Sequence, residues 1–500
     1  MSRIKITLTG EGTYPYVTGG VSTWVDLLVK ELGNIDFTIM PILMHPYVKS
    51  KFEIPSNVLK ITKIPLWGTE EPTEYVKEGD FSIIYRSKLR TLKEIEAQDK
   101  LIELLEYLID FIYSKEDDYE KLGDVIVDFH DFFHEYDYHE SFRSLEVWEA
   151  YKKKMETIFD NEVEELPSVH DMIEGLRLLY RFFITLLAPV EESDIYHSSA
   201  AAFCGLPCII AKKKYGTKFL LTEHGIYVRE QYLYASRMGV PPRTKEFLLG
   251  MISMIVKLNY HFADVISPVC DYNQRWEKAW GADEDKLLTI YNGVDPFVFR
   301  KIPQKFTGRK TVVMVARIDP LKDIETYLRT CELVKKAFPD VLFKLYGPVV
   351  DQDYYDKCYE LYEELQLQDN FEFSGSTSSP AHAYNEGDVV MLTSISEAFP
   401  FVVIEAMACE KVVVSSDVGG TKEVLEGYGH VVKPKDIKAF ADAVIEVFED
   451  TQKTHKMEIE ARKKVLDGFI IEDMVQNYHQ LYNSLYHSRL TQHFTKRIVL

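Results

Sequence analysis

The sequence predicts an α/β protein built from two doubly wound, Rossmann-like domains, with a helical insertion in the first. Three observations predict it. The chain opens with a β-rich run, a glycine loop and an amphipathic helical pattern, which is how a doubly wound sheet begins. Strand-like and helix-like segments alternate on both sides of a concentrated turn, Asn292-Gly293-Val294-Asp295-Pro296. At 500 residues the chain is also too long for one ordinary core.

The opening strand is Ile4–Leu8, ended by Gly10 and followed by the loop Glu11–Gly20. Val21, Val25, Leu28 and Leu32 then recur at helical spacing. Phe37–Ile42 and Leu59–Ile64 read as the next strands. From about Thr73 to Leu187 the chain turns acidic, rich in Tyr, Phe and Leu, and nearly free of glycine and proline. Leu101, Leu104, Leu105 and Leu108 mark one helical face there, and Val147–Phe159 and Met172–Leu186 suggest others. Strands are expected again at Asp194–His197, Cys208–Ala211, Phe219–Glu223, Val265–Ser267 and Leu287–Tyr291. The turn at 292–296 is the candidate linker, so the first domain is expected over 1–295 and the second over 296–473. In the second, strands are expected at Thr311–Ala316, Val341–Tyr346, Phe371–Ser374, Val389–Thr393 and Val412–Ser415. Met474, Tyr478, Leu481 and Leu485 mark a last helix over 474–500.

Composition narrows the function classes. A hydrophobic fraction of 46% with 27% charged residues is that of a globular protein. Apolar runs such as Phe183–Val190 are too short to span a bilayer, and Met1–Lys5 lacks the layout of a signal peptide, so a cytoplasmic location is expected. A net charge of −21 argues against nucleic acid as a general partner. The six cysteines are scattered without a CxxC pair, which reads as reduced, buried thiols.

The most specific motif runs from Ser394 to Ala408: a strand end, a short loop holding Glu397, and a helix presenting Glu405. Pro400 fits the first helical turn, and the amides near Phe401, Val402 and Val403 then form an anion site at the helix N-terminus. Two carboxylates flanking such a site suit a ligand with an anionic centre and hydroxyls on either side, the layout of a nucleotide sugar. A second motif is Val315-Ala316-Arg317-Ile318-Asp319-Pro320-Leu321-Lys322-Asp323. It places Arg317 at a strand end and Lys322 at the start of the next helix, where two cations can clamp a diphosphate. A third is Gly19-Gly20 before the first helix, which lets backbone amides approach a phosphate. It lacks the GxGxxG spacing of a dinucleotide site. His224, in Thr222-Glu223-His224-Gly225-Ile226-Tyr227, follows a strand, and His197 ends another; for His197 a structural and a functional role stay equally open. His130, His134 and His139 read as an ordinary helical face, not a metal site. Lys212-Lys213-Lys214 reads as a solvated surface turn, with an acceptor or partner contact as the alternative. No Asp-x-Asp pair falls at a strand end where a metal–diphosphate site would need it.

The segment Glu397 to Glu405, with Asp388–Ser394 before it and Ser416-Asp417-Val418-Gly419-Gly420-Thr421-Lys422-Glu423 after it, resembles the E-x7-E signature of retaining glycosyltransferases of family 4. Glu11–Val17, Gly19–Val25 and Thr222–Glu230 resemble the PelF branch of that family. The resemblance covers the second domain and the ends of the first. It departs at Asp323, where the family has a glycine after the lysine, and at Cys409-Glu410-Lys411-Val412, where it has a glycine and a proline.

The resemblance implies the GT-B fold, two Rossmann-like domains facing a cleft, with the last helix crossing back to the first domain. It implies that Glu397 contacts the donor sugar, Glu405 holds the ribose hydroxyls and His224 reaches the donor hexose. It implies transfer with retention from a UDP-sugar, UDP-glucose or a related UDP-hexose, to an exopolysaccharide or other glycan acceptor beside a membrane synthase complex. Because the two glutamates grip opposite ends of the donor, a front-face route without a protein nucleophile is expected. No cofactor and no metal are expected, since Arg317, Lys322 and helix amides can do the electrostatic work. The rivals are a non-catalytic, nucleotide-sugar-binding subunit of a synthase and a pyridoxal-dependent sugar phosphorylase.

Overall fold

The computed structural model describes residues 3–67, 95–160, 166–303 and 308–498. The expected start of the insertion, from 73 to 94, lies outside them. The chain divides into two compact units. The first holds the residues up to Pro268 with Arg275–Leu288 and those from His479 on; the second holds Val269–Gln274 and Thr289–Tyr478.

The first unit is built on a parallel sheet of β1 (Lys5–Glu11), β2 (Asp36–Leu43), β3 (Val58–Ile61), β4 (Ile64–Pro65), β5 (Ile195–Ser198), β6 (Lys218–Glu223) and β7 (Val265–Pro268). The strand order is β3-β2-β1-β5-β6-β7, with β4 paired to β2. The second unit has β8 (Thr311–Val315), β9 (Leu342–Tyr346), β10 (Phe371–Gly375), β11 (Val389–Leu392), β12 (Val412–Ser416) and β13 (His430–Val432), in the order β10-β9-β8-β11-β12-β13. Both orders reverse beside the first strand of the sheet, at β1/β5 and at β8/β11. Such switch points open a crevice at the strand C-termini, where doubly wound folds hold ligands. Parallel strands are covered on both faces, which is why β6, β11 and β12 are buried throughout, with apolar stretches Phe219–Leu221, Val389–Leu392 and Val412–Val414 at their centres or starts.

Between β4 and β5 lie the helices Ile95–Ile112, Tyr119–Glu135, Tyr138–Arg143, Leu145–Phe159 and Val169–Phe182. Asp118, Asp137, Ser144 and Ser168 cap four of them by accepting a backbone N–H. Leu101, Leu104, Leu105 and Leu108 are all buried, as their spacing predicts. The insertion shares one apolar core with the sheet's own helices.

Two strand expectations fail. Cys208–Ala211 lies inside the helix Leu206–Tyr215, which has Pro207 in its first turn and Gly216 left-handed at its C-cap. That helix is buried along most of its length, so its short apolar run carries no helical period. Leu287–Tyr291 forms no strand, and Leu287 makes one isolated bridge to Ile266. Lys212-Lys213-Lys214 is no solvated turn either. It ends the same helix, with Lys212 on Asp264 at 2.8 Å, Lys213 on Asp124 at 2.7 Å and Lys214 on Asp131. Cations suit a helix C-terminus, and two of these pairs tie the insertion's helix Tyr119–Glu135 to it.

All six cysteines are buried thiols. Among the described residues, no helix is long and apolar enough to cross a membrane.

Candidate functional site

In the second unit the site residues sit at the ends of β8 and β11. After β8 the chain passes Arg317, which is exposed and pairs with Asp319 at 3.4 Å. Asp319 also caps the short 3₁₀ turn Pro320–Lys322 by accepting the Leu321 N–H at 2.9 Å. The turn corrects one expectation. Lys322 does not begin a helix; Asp323 intervenes with φ 47°, and the helix Ile324–Ala337 starts after it. A glycine meets a left-handed φ without steric cost. Asp is among the few other residues that visit this conformation routinely. Glu410, within the second departure, likewise turns the chain at a left-handed φ of 55°.

This cation loop is fastened to the end of β11. Thr393 Oγ1 donates to the Lys322 carbonyl at 2.9 Å and lies 3.0 Å from that of Asp323, and Ile395 N–H donates to the Leu321 carbonyl at 2.9 Å. The result brings Lys322 Nζ onto the Glu397 carboxylate as a largely buried ion pair. An ammonium has three protons, so one can serve Glu397 while the others remain directed to a further acceptor. The Glu397 loop rests on Gly419, whose φ is 57°. A Cβ there would meet the carbonyl oxygens of Glu397 and Ala398 at 2.3 Å. Gly420 N–H then donates to the Ala398 carbonyl at 2.6 Å.

The helix that follows is Phe401–Ala408. Pro400 is its N-cap, one position earlier than the sequence suggests. Val403 N–H already bonds the Pro400 carbonyl at 3.1 Å, so the amides that open toward an anion are those of Phe401 and Val402. Glu405 stands on the second turn and accepts from the buried Tyr384 hydroxyl at 2.6 Å. Burial raises its pKa to about 7, against the opposing pull of the Tyr384 hydrogen bond. Tyr384 has no motif signal, since it lies 21 residues upstream on the helix Pro380–Glu386.

In the first unit, Gly19 and Gly20 are exposed at the start of the helix Gly20–Glu31, and a Cβ at Gly19 would meet nothing within 4 Å. One turn on, the fully buried Trp24 packs edge-on against His224, ring centroids 4.4 Å apart, and against His197 at 5.3 Å. The two histidines differ in their bonding. His197 uses Nδ1 with the Tyr482 hydroxyl and Nε2 with Thr222 Oγ1, both at 2.8 Å, which is a satisfied core residue. His224 has a buried Nε2 with no hydrogen-bond partner among the described residues. Burial lowers both pKa values to about 3, so each ring is neutral at pH 7. A buried, unpartnered ring nitrogen at a strand end is what a ligand hydroxyl can complete.

Two acidic groups at this edge escaped the sequence reading. Glu11, at the end of β1, accepts the Cys204 N–H at 3.2 Å, and burial raises its pKa to about 7. Glu223, next to His224, is fully buried. The three insertion histidines are occupied: His130 bonds the Leu186 carbonyl at 2.7 Å, His134 the His130 carbonyl at 2.8 Å, and His139 the Tyr180 hydroxyl. Among the described residues no group of three or more His, Cys, Asp or Glu side chains is placed to hold a metal ion.

Comparison with known proteins gives this geometry its context. Residues 4–285, more than half of the chain, match the family described as "Domain of unknown function (DUF3492)". The chain belongs to that family. Residues 297–464, which hold the ion pair and Glu405, match the family described as "Glycosyl transferases group 1". The poly(ribitol-phosphate) alpha-N-acetylglucosaminyltransferase of Staphylococcus aureus is 25% identical over 205 residues, 40% of this chain and 40% of its own. The N-acetyl-alpha-D-glucosaminyl L-malate synthase of Bacillus anthracis is 23% identical over 307 residues, 59% of this chain and 76% of its own. The chain thus spans less than half the length of the first of these relatives.

Among solved structures, Anabaena Alr3699/HepE in complex with UDP and glucose has a TM-score of 0.61 at 15% identity, covering 96% of this chain and 100% of that one. Sucrose-phosphate synthase from Thermosynechococcus elongatus has a TM-score of 0.61 at 16% identity, covering 97% and 100%. At such identities the likeness is one of fold, and the fold is GT-B: α/β, with two Rossmann-like domains. The match over residues 297–464 and the GT-B fold are what the chain shares with known glycosyltransferases.

Proposed function

We propose that the protein is a retaining hexosyltransferase that moves a sugar from a UDP-hexose, UDP-glucose or a close relative, to a growing exopolysaccharide or other glycan. The observation that carries this reading is the pair of carboxylates in the second unit. Glu397 is held by Lys322, and Glu405 is held by Tyr384, with the Phe401 and Val402 amides between them in the chain. A diphosphate would lie against those amides, Lys322 and Arg317, a hexose against Glu397, and a ribose against Glu405. The remaining Glu405 oxygen accepts from ribose hydroxyls while Tyr384 fixes the first.

In this reading Arg317 and Lys322 balance the charge that develops on the departing diphosphate, and the leaving phosphate oxygen takes the acceptor's proton. His224 offers its neutral Nε2 to a donor hydroxyl. UDP-glucose and the glycan acceptor are supported by the resemblance to the PelF branch. That likeness also suggests that the protein works on the cytoplasmic side, next to a membrane synthase complex. The test is release of UDP from UDP-hexoses with a panel of glycan acceptors, in excess chelator and then with magnesium or manganese. Turnover in chelator supports the reading. Turnover that vanishes with chelator and returns with metal overturns its metal-independent part. Tight UDP binding with no turnover for any donor and acceptor points to the non-catalytic subunit instead.

A further inference from the structure

Behind His224 lies the least expected cluster in the molecule. Glu223 ends β6, Glu277 sits near the end of the helix Asp271–Ala279, and Tyr260 lies on the helix Pro242–Phe262. Glu223 and Glu277 are 0% exposed and Tyr260 1%. Both Glu223 oxygens are engaged: Oε2 accepts the Tyr260 hydroxyl at 2.6 Å, and Oε1 accepts the Tyr227 N–H at 3.0 Å, which leaves each a further lone pair. That second bond spans residues 224 to 226, so the Glu223 carboxylate closes the turn that carries His224. Among the described residues Glu277 receives no hydrogen bond from any other donor on its two oxygens, and the group it meets is the Glu223 carboxyl.

We propose that Glu223 and Glu277 share one proton and act together as positioning residues for His224, holding its turn closed while the pair carries a single charge. This rests on the reading of His224 as a contact to the donor hexose. Two adjacent carboxylates in a dry site cannot both ionise without strong repulsion, whereas one shared proton makes the pair a hydrogen bond. Glu277 O–H donates to Glu223, and Glu223 keeps lone pairs for Tyr260 and for the turn. Burial lifts both carboxyls well above the usual carboxylate range; Glu223 raises Glu277 further, while the hydrogen bond from Glu277 favours the ionised Glu223. Of the groups that face the pair, Glu230 adds negative charge, the Tyr260 hydroxyl and Tyr227 N–H favour the single charge on Glu223, and Tyr227 and Tyr260 are themselves held protonated by burial. Loss of the shared proton at alkaline pH puts two charges behind the turn and weakens its closure.

The experiment compares wild type with Glu277→Gln across pH 6 to 10, following the melting temperature, the rate of hexose transfer and UDP affinity. The glutamine amide donates to Glu223 at every pH. Wild type should lose melting temperature and transfer rate toward high pH, the rate by about tenfold per pH unit once the shared proton leaves. Glu277→Gln should flatten both losses and leave UDP affinity unchanged. An alkaline loss in the variant equal to that of wild type overturns the proposal, and so does a flattened melting curve with an unflattened rate profile. If the protein transfers nothing, the reading of its function has failed while the melting curves still report on the pair. An infrared pH titration adds a direct check: wild type should show a buried protonated carboxyl at neutral pH that Glu277→Gln loses. Absence of that difference also overturns the shared proton.

Discussion

The ends of β8 and β11 and the ends of β1 and β6 lie on the C-terminal edges of two sheets of the same strand order, yet their chemistry is opposite. In the second unit the working groups include an exposed guanidinium and a Lys322–Glu397 ion pair, set beside a helix N-terminus. In the first unit burial favours the uncharged forms: a neutral His224 against Trp24, Glu11 with a raised pKa, and the Glu223–Glu277 pair. The difference teaches what each edge can hold. Fixed charges are stabilising where a ligand brings charge of its own, and a preorganised ion pair costs little to redirect. Neutral, buried hydrogen-bonding groups suit hydroxyls, which carry no charge but penalise an unmet partner.

The largest expected effect falls on the charged edge. Lys322→Ala and Arg317→Ala should each lower kcat by about a hundredfold to a thousandfold, with a smaller change in KM for the donor. The double variant should lose less than the product, because both cations serve one group. Losses confined to KM would make them ground-state clamps and break the comparison. Glu405→Ala comes next and should weaken UDP by about 1.5–3 kcal/mol, read by calorimetry, since a charged hydrogen-bond partner is lost. Glu397→Ala should leave UDP affinity nearly intact while transfer falls.

Gly419→Ala should cost about 1–2 kcal/mol of stability for its left-handed backbone alone. It should also slow transfer, because its Cβ would press on the carbonyls that seat Glu397. A variant with wild-type melting temperature and wild-type rate would show that this seat is not needed. The smallest effect is Tyr384→Phe, at about 1 kcal/mol in UDP affinity. It carries a pH signature. Glu405 titrates near 7 in the fold against an ordinary value of 4.5, so its stability contribution is full below about 4.5 and is lost as pH rises through about 7. UDP affinity should move the other way and rise over the same window as the carboxylate ionises. Removing the Tyr384 hydroxyl should shift that rise to higher pH.

The contrast between the edges also explains what could be read from the sequence. The charged edge is a local motif: Arg317 to Lys322 and Glu397 to Glu405 are short stretches whose residue types announce their chemistry. Its supports were less visible, because Tyr384 and Thr393 act through contacts that no spacing encodes. The neutral edge is assembled from distant segments. Trp24, His224 and Glu277 come from three elements, and nothing in the local sequence shows that Glu277 is buried beside another acid. Both sheets were legible wherever strands are continuous apolar runs. One of the two exceptions, Cys208–Ala211, is a helix buried along most of its length, where the polar face that would reveal its period is missing; the other, Leu287–Tyr291, meets the sheet at a single bridge. The left-handed turns at Asp323 and Glu410 were hidden because an acid stands where glycine would mark the backbone.

The central claim is that the second unit holds a uridine nucleotide through Glu405. The most direct test is a calorimetric and thermal-melt titration of the purified protein with UDP, NAD and ATP, repeated on Glu405→Ala. UDP should bind and, at about a hundred times its Kd, stabilise by about 2.7 kcal/mol, with a clear loss in the variant and weak or no response to NAD and ATP. Preferential binding of NAD or ATP, or UDP binding that is indifferent to Glu405→Ala, would contradict the account.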